Sequence, residues 1–170
     1  MKDDIRSIAQ QLQDTLPRCD DLRRSPWQGD PCPVAGHCYV ASEALYHLLG
    51  GAAAGFTVHF IRHEGAPHWF LRDPAGQVLD LTAAQFDTPV PYHQAKRKGF
   101  LTKRPSARAG DLAQRAGFIL HDSPLIMGTN HDPSPPSNWN GFHWDCGRRI
   151  YPKPSMDSNT PRAVRLRMPW

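Results

Sequence analysis

The sequence predicts an α+β domain in which a small antiparallel sheet packs on a helix that begins with a cysteine, followed by an irregular C-terminal segment. Three observations carry this expectation. One well-marked helical stripe runs from His37 to Leu49, three short strand-like segments follow between Phe56 and Thr82, and beyond residue 118 the hydrophobic period is lost and prolines accumulate. The chain therefore divides into a compact core, residues 1-118, and a proline-rich extension, residues 119-170, packed in part on that core.

Ile5, Ile8, Leu12 and Leu16 recur at spacings of three and four, which gives residues 3-16 the apolar face of a short helix. Residues 17-36 hold Pro17, Pro26, Gly29, Asp30, Pro31, Pro33 and Gly36, a composition that disfavours regular structure and predicts a long loop. The next helix buries Val40, Ala41, Ala44, Leu45, Leu48 and Leu49, and Gly50-Gly51 supplies its left-handed stop. Alternation of Phe56, Val58 and Phe60 against Thr57 and His59 marks a strand over 56-61, and residues 68-71 and 77-82 complete a meander.

The turn Asp73-Pro74-Ala75-Gly76 fixes the register of the last two strands. Aspartate, proline and glycine occupy the first, second and fourth positions of a type I turn, with Gly76 in a left-handed bulge. Asp73 then pairs with Gln77, so His68 faces Thr82 and Asp80 faces Phe70, which leaves His68 and Asp80 as diagonal neighbours on one face. Trp69, Leu71, Leu79 and Leu81 fall on the other face as core. A two-residue loop would instead put His68 and Asp80 on opposite faces. Residues 84-115 are less regular until a helix with Ser106 as its N-cap runs towards Arg115.

Composition narrows the function classes. At 170 residues the chain is long enough for a core without disulfides or metals. No apolar run approaches the roughly 20 residues that span a bilayer, so no membrane role is expected. Met1-Lys2-Asp3-Asp4 lacks the basic start and apolar stretch of a secretory leader, and a cytoplasmic location is expected. Cysteines at 19, 32, 38 and 146 are unevenly spaced and read as reduced thiols; a Cys32–Cys38 disulfide is the alternative, and it would consume the thiol. The net charge of +4 is unevenly placed: residues 1-91 carry 7 basic and 11 acidic side chains, residues 92-170 carry 13 and 5. Lys96, Arg97, Lys98, Lys103 and Arg104 form the anion-binding candidate for a phosphate-bearing ligand or nucleic acid, against the alternative of a solvated surface.

Cys38 opens its helix as Gly36-His37-Cys38-Tyr39-Val40-Ala41-Ser42, and His68 and Asp80 follow in order. A thiol attacks only as thiolate, and a helix N-terminus and a neighbouring imidazolium both favour that form. The bland alternative is a cysteine that packs as a small hydrophobe. The segment around Cys38 resembles the Gly-x-Cys-aromatic-x-x-Ser stretch of papain-like enzymes, and the compact order of Cys, His and Asp on helix and strands resembles the transglutaminase-like superfamily, which includes microbial peptidases and arylamine N-acetyltransferases. The likeness spans roughly residues 25-85. It implies a transglutaminase-like core, Cys38 as nucleophile, His68 as base and later acid, and Asp80 as the residue that fixes the imidazole tautomer. It also implies an oxyanion and substrate surface from Gln28, Trp27, His37 and Trp69, helped by the Cys38 N–H, although Gln28 stands further from the cysteine than in papain.

The expected activity is thiol-dependent hydrolysis or acyl/amide transfer on a peptide or amino-acid-like substrate, with no cofactor. A polyanion-binding accessory protein and a zinc-stabilised module are the alternatives. The zinc reading draws on Cys32, His37, Cys38, His143 and Cys146, whose Cys-x5-Cys spacing is unusual for a knuckle. His63 to His68 has one residue too many for a zinc-binding HExxH helix, and Gly65 and Pro67 would break that helix. His121, His131 and His143 are expected to be surface or structural.

Overall fold

A computed structural model describes residues 2–120. Within them lie helix α1 (Lys2–Thr15), helix α2 (Cys38–Leu48), strands β1 (Thr57–His63), β2 (Ala66–Arg72), β3 (Val78–Leu79) and β4 (Lys96–Arg97), and helix α3 (Ala107–Arg115). The sheet is antiparallel in the order β3-β2-β1-β4. The α+β architecture and the sheet-on-helix packing are thus as expected. The extension, with His121, His131, His143, Cys146 and its tryptophans, lies outside the described residues.

Helix α2 packs on one face of the sheet, and α1 and α3 pack on α2 and on each other. Leu12 and Leu16, Val40, Ala44 and Leu45 of α2, and Leu112 of α3 close on Val58, Trp69, Leu71 and Leu79 in a single core. The other face is also covered, by the segment 83-95, where Val90 packs on Ile61 and Phe70, flanked by Phe86 and Tyr92. Burial on both faces explains why consecutive residues His68, Trp69, Phe70 and Leu71 are all inaccessible, rather than alternating as a half-exposed strand would.

The loop before α2 folds into three short 3-10 turns and is held by its own polar groups. Arg23 donates Nη1 to the carbonyls of Trp27 (3.1 Å) and Asp30 (2.8 Å), and Asp20 receives the Gly29 N–H at 3.0 Å. Gly36 adopts φ +75°, and a Cβ there would sit 2.4 Å from the Trp27 Cβ. Only glycine lets the chain turn so closely into α2. Gly50, at φ +83°, ends that helix as expected.

Three strand ends differ from expectation by two residues or more. β1 and β2 extend to a two-residue turn at Glu64-Gly65, with His63 opposite Ala66. Both turn residues have positive φ, 48° and 79°, the hallmark of a type I′ hairpin. Pro67 fits because it lies opposite Arg62 one step from the turn-closing pair, where its missing N–H points away from β1. β3, in contrast, stops at Leu79 instead of Thr82. The Asp80 carboxylate accepts the Thr82 N–H at 2.9 Å, and this local turn pulls the chain out of the ladder. The three-residue loop at 74-76 forms as expected: Gly76 N–H bonds the Asp73 carbonyl, Asp73 N–H bonds the Gln77 carbonyl, and Leu71 pairs with Leu79.

β4 is a short, charged edge strand inside the basic stretch, a placement that discourages further pairing. α3 begins at Ser106, whose Oγ accepts the Ala109 N–H at 3.2 Å. The same hydroxyl donates to the wholly buried Glu43 of α2 at 2.6 Å, and the Ser106 N–H reaches the other Glu43 oxygen at 3.2 Å. A buried carboxylate therefore joins the two helices, with its charge at the positive end of α3.

Candidate active site

The start of α2 meets the beginning of β2. Cys38 is the first residue of its helix, 7% exposed, with its thiol donating to the Pro67 carbonyl at 3.6 Å. The N–H groups of a first helical turn have no partner within the helix, so Cys38 stands in a field of donors that favours negative charge.

The structure brings His68 and Asp80 together. Nε2 of His68 lies 2.6 Å from Oδ2 of Asp80, and the side chains are 0% and 3% exposed. The carboxylate is held from both sides: Thr82 donates its N–H (2.9 Å) and hydroxyl (3.3 Å) to Oδ1, and Tyr92 donates its hydroxyl to Oδ2 at 2.9 Å. The His68 ring is fixed edge-on against Phe86, with centroids 4.8 Å apart.

These contacts set the protonation states. Burial works against charge on His68, but the Asp80 carboxylate beside it, together with hydrogen bonding and charge from Cys38, pushes its pKa up to about 9. Burial likewise works against the Asp80 carboxylate and is outweighed by the His68 charge and by the Thr82 and Tyr92 hydrogen bonds, which hold its pKa below the ordinary value. Tyr92 is driven the other way, by burial and by the Asp80 charge, and stays a donor. With Nε2 committed to Asp80, the other imidazole nitrogen, Nδ1, lies 3.1 Å from the Gln85 amide nitrogen. The pattern is a buried histidine held at one ring nitrogen by a carboxylate and met at the other by an amide.

The remaining expected site residues lie differently. Gln28 is exposed and donates its amide to the Arg23 carbonyl at 3.4 Å; among the described residues no hydrogen bond joins it to Cys38, His68 or Asp80. Trp27 packs under Gly36, two residues before the cysteine. His37 is wholly buried, its Nε2 2.9 Å from the Cys19 carbonyl, and burial lowers its pKa. Its ring is therefore packing beneath the helix start, not an open surface. Trp69 belongs to the core, edge-on to Tyr39 at 5.1 Å. Lys96, Arg97, Lys98, Lys103 and Arg104 are all exposed, and the Lys98 ammonium lies over Phe60 at 4.6 Å.

No disulfide joins any two of Cys19, Cys32 and Cys38, so the Cys32–Cys38 bridge is not formed. Among the described residues no group of three or more His, Cys, Asp or Glu is placed to hold a metal, and no helix is long and apolar enough to cross a membrane.

Sequence reasoning missed Gln85, whose Nε2 lies 3.1 Å from His68 Nδ1 and 2.9 Å from the Thr82 carbonyl. Tyr92 was visible only as part of the basic stretch. The one available signal was the Asp80-x-Thr82 pattern, which predicts a turn after the acid and brings the next residues back over the histidine. Comparison with protein-family models, with curated proteins and with solved structures finds no match to this chain.

Proposed function

We propose that the chain is a cysteine hydrolase or acyl transferase acting through Cys38, His68 and Asp80. The observation that carries this reading is the buried 2.6 Å contact of His68 Nε2 with Asp80, made on the strand whose preceding residue, Pro67, accepts from the Cys38 thiol through its carbonyl. A structural histidine needs no dedicated carboxylate with three further donors around it, whereas an imidazole that must hold one orientation through a proton cycle does. The order of the three residues, with Cys38 at a helix start and His68 on a strand, also supports this reading, although Asp80 lies in the turn just past β3 and not on a strand.

In this mechanism the Cys38 sulfur attacks the carbonyl carbon of an amide or ester. The C=O π pair moves to oxygen, then returns as the bond to the leaving nitrogen or oxygen breaks, and His68 gives that leaving atom its proton. The thioester that remains is attacked by water or an amine, with neutral His68 taking the proton and Cys38 leaving as thiolate. Asp80 holds Nε2 throughout and stabilises the imidazolium. The favoured substrate is a peptide or amino-acid-like amide.

The test uses p-nitrophenyl acetate as a generic acyl donor. Wild-type protein should release p-nitrophenolate while Cys38 gains an acetyl group in peptide mass spectra, Cys38→Ala should lose that modification, and His68→Ala should slow it at least tenfold. Acetylation spread over the cysteines without preference for Cys38, or equal rates in wild type and His68→Ala, would overturn the proposal.

A further inference from the structure

Among the described residues, Gln85 is a polar side chain against His68 that the proposed triad does not use. Its orientation follows from its partners. The Thr82 carbonyl can only accept and the Gly36 N–H can only donate, so the nitrogen faces Thr82 at 2.9 Å and the oxygen faces Gly36 at 3.5 Å. The second N–H of that amide then points at His68 Nδ1, 3.1 Å away. Through Gly36 the side chain is tied to the helix start, two residues before the nucleophile. Through Thr82 it is tied to the turn that holds Asp80.

The contact with Nδ1 depends on proton state. A neutral ring that donates Nε2–H to Asp80 has a lone pair on Nδ1, which accepts the Gln85 N–H. Once Nδ1 carries a proton, as it must when Cys38 is a thiolate paired with an imidazolium, the two N–H groups face each other and the Gln85 bond is lost. A donor tied through Gly36 to the start of the nucleophile's helix is thereby released in the state in which attack occurs. No hydrogen bond engages the Cys38 N–H among the described residues, so a second donor stands at the same helix start.

We infer that Gln85 is a further catalytic residue: its side-chain amide, with the Cys38 N–H, donates to the oxyanion formed when Cys38 adds to an acyl group, whereas the Gln28 amide is engaged with the Arg23 carbonyl. The inference rests on the Cys38 acyl chemistry proposed above. When the carbonyl π pair moves to oxygen, that oxygen accepts from both donors, and they relinquish it as the leaving group departs and the thioester forms. A site with such donors suits planar acyl substrates, in which negative charge appears on oxygen only in the transition state.

Two reactions of the same thiol separate this role from a structural one. Alkylation by iodoacetamide displaces iodide at an sp³ carbon and forms no oxyanion; acylation by p-nitrophenyl acetate does. Gln85→Ala and the equal-sized Gln85→Glu, which presents an acceptor in place of the donor, are compared with wild type for both rates at Cys38. The expected result is acylation slowed by about 10²–10³-fold in both variants, with alkylation changed no more than a few-fold. Acylation and alkylation falling together would make Gln85 a purely structural residue and overturn the inference, as would unchanged acylation in Gln85→Glu. Wild-type alkylation indifferent to His68→Ala would instead remove the Cys38–His68 reading itself, a failure visible without any Gln85 variant.

Discussion

Replacing Asp80 by asparagine keeps the shape of the site and removes its charge, which makes the His68 titration a quantitative probe of the pair. The rise of His68 from its ordinary 6.5 to about 9 corresponds to about 3 kcal/mol in favour of the imidazolium, at ~1.36 kcal/mol per pH unit. Burial is the largest influence and opposes charge, so without the carboxylate the imidazole should titrate below 6.5. Long-range ¹H–¹⁵N correlation spectra of histidine-labelled protein would follow Nδ1 and Nε2 of His68 against pH in wild type and Asp80→Asn. The pair is buried, so salt should change the result little. Stability carries the same signature. A folded-state pKa raised above the unfolded value gives stabilisation that is complete below about pH 6.5 and lost as pH rises through about 9. Urea unfolding of wild type should therefore weaken by up to about 3 kcal/mol across that window, and Asp80→Asn should show no such decline. A wild-type His68 that titrates near 6.5, or one that stays near 9 in Asp80→Asn, would refute the electrostatic account.

Three other substitutions test the supports of the site. Tyr92→Phe removes the hydroxyl that donates to Asp80 at 2.9 Å; the expected loss is about 1–2 kcal/mol in urea unfolding, with the Asp80 carboxyl titrating higher by ¹³C NMR. Ser106→Ala removes both the N-cap of α3 and the 2.6 Å donor to buried Glu43, and the unfolding midpoint should drop by about 1–2 kcal/mol. Gly36→Ala places a Cβ 2.4 Å from the Trp27 Cβ at φ +75° and should cost about 2 kcal/mol or more. Gly76→Ala, at φ +81° in open space, should cost only about 1 kcal/mol, so the difference between the two glycines isolates the Trp27 contact.

The parts of the site that local rules specify were legible in the sequence. The Asp73-Pro74-Ala75-Gly76 turn set the register that pairs Leu71 with Leu79, but the expected His68–Thr82 and Asp80–Phe70 pairs do not form, and Asp80 meets His68 from the turn that leaves the ladder after Leu79. Ser106 as a cap and Gly50 as a stop are equally local. What escaped is long-range. Pro67 reads as a strand breaker until its pairing partner is known, since only the register shows that its missing N–H is harmless. The edge strand at Lys96–Arg97 exists because β1 offers it partners, not because of its own two charged residues. Gln28 was preferred as an amide donor by analogy in sequence order, while Gln85 earns its place from a turn seventeen residues beyond the histidine that folds back over it. His37, adjacent to the cysteine in sequence, points the opposite way because the first turn of a helix directs neighbouring side chains about 100° apart.

The account stands or falls on whether Cys38 and His68 act as a unit, and the alkylation rate of Cys38 by iodoacetamide at pH 7, read by peptide mass spectrometry, tests this most directly. Wild-type Cys38 should react faster than Cys19 and Cys32 in the same molecule, and its rate should fall by on the order of tenfold in His68→Ala. A Cys38 that reacts no faster than its neighbours, at the same rate with or without His68, would contradict the proposed chemistry and leave the His68–Asp80 pair as structure alone.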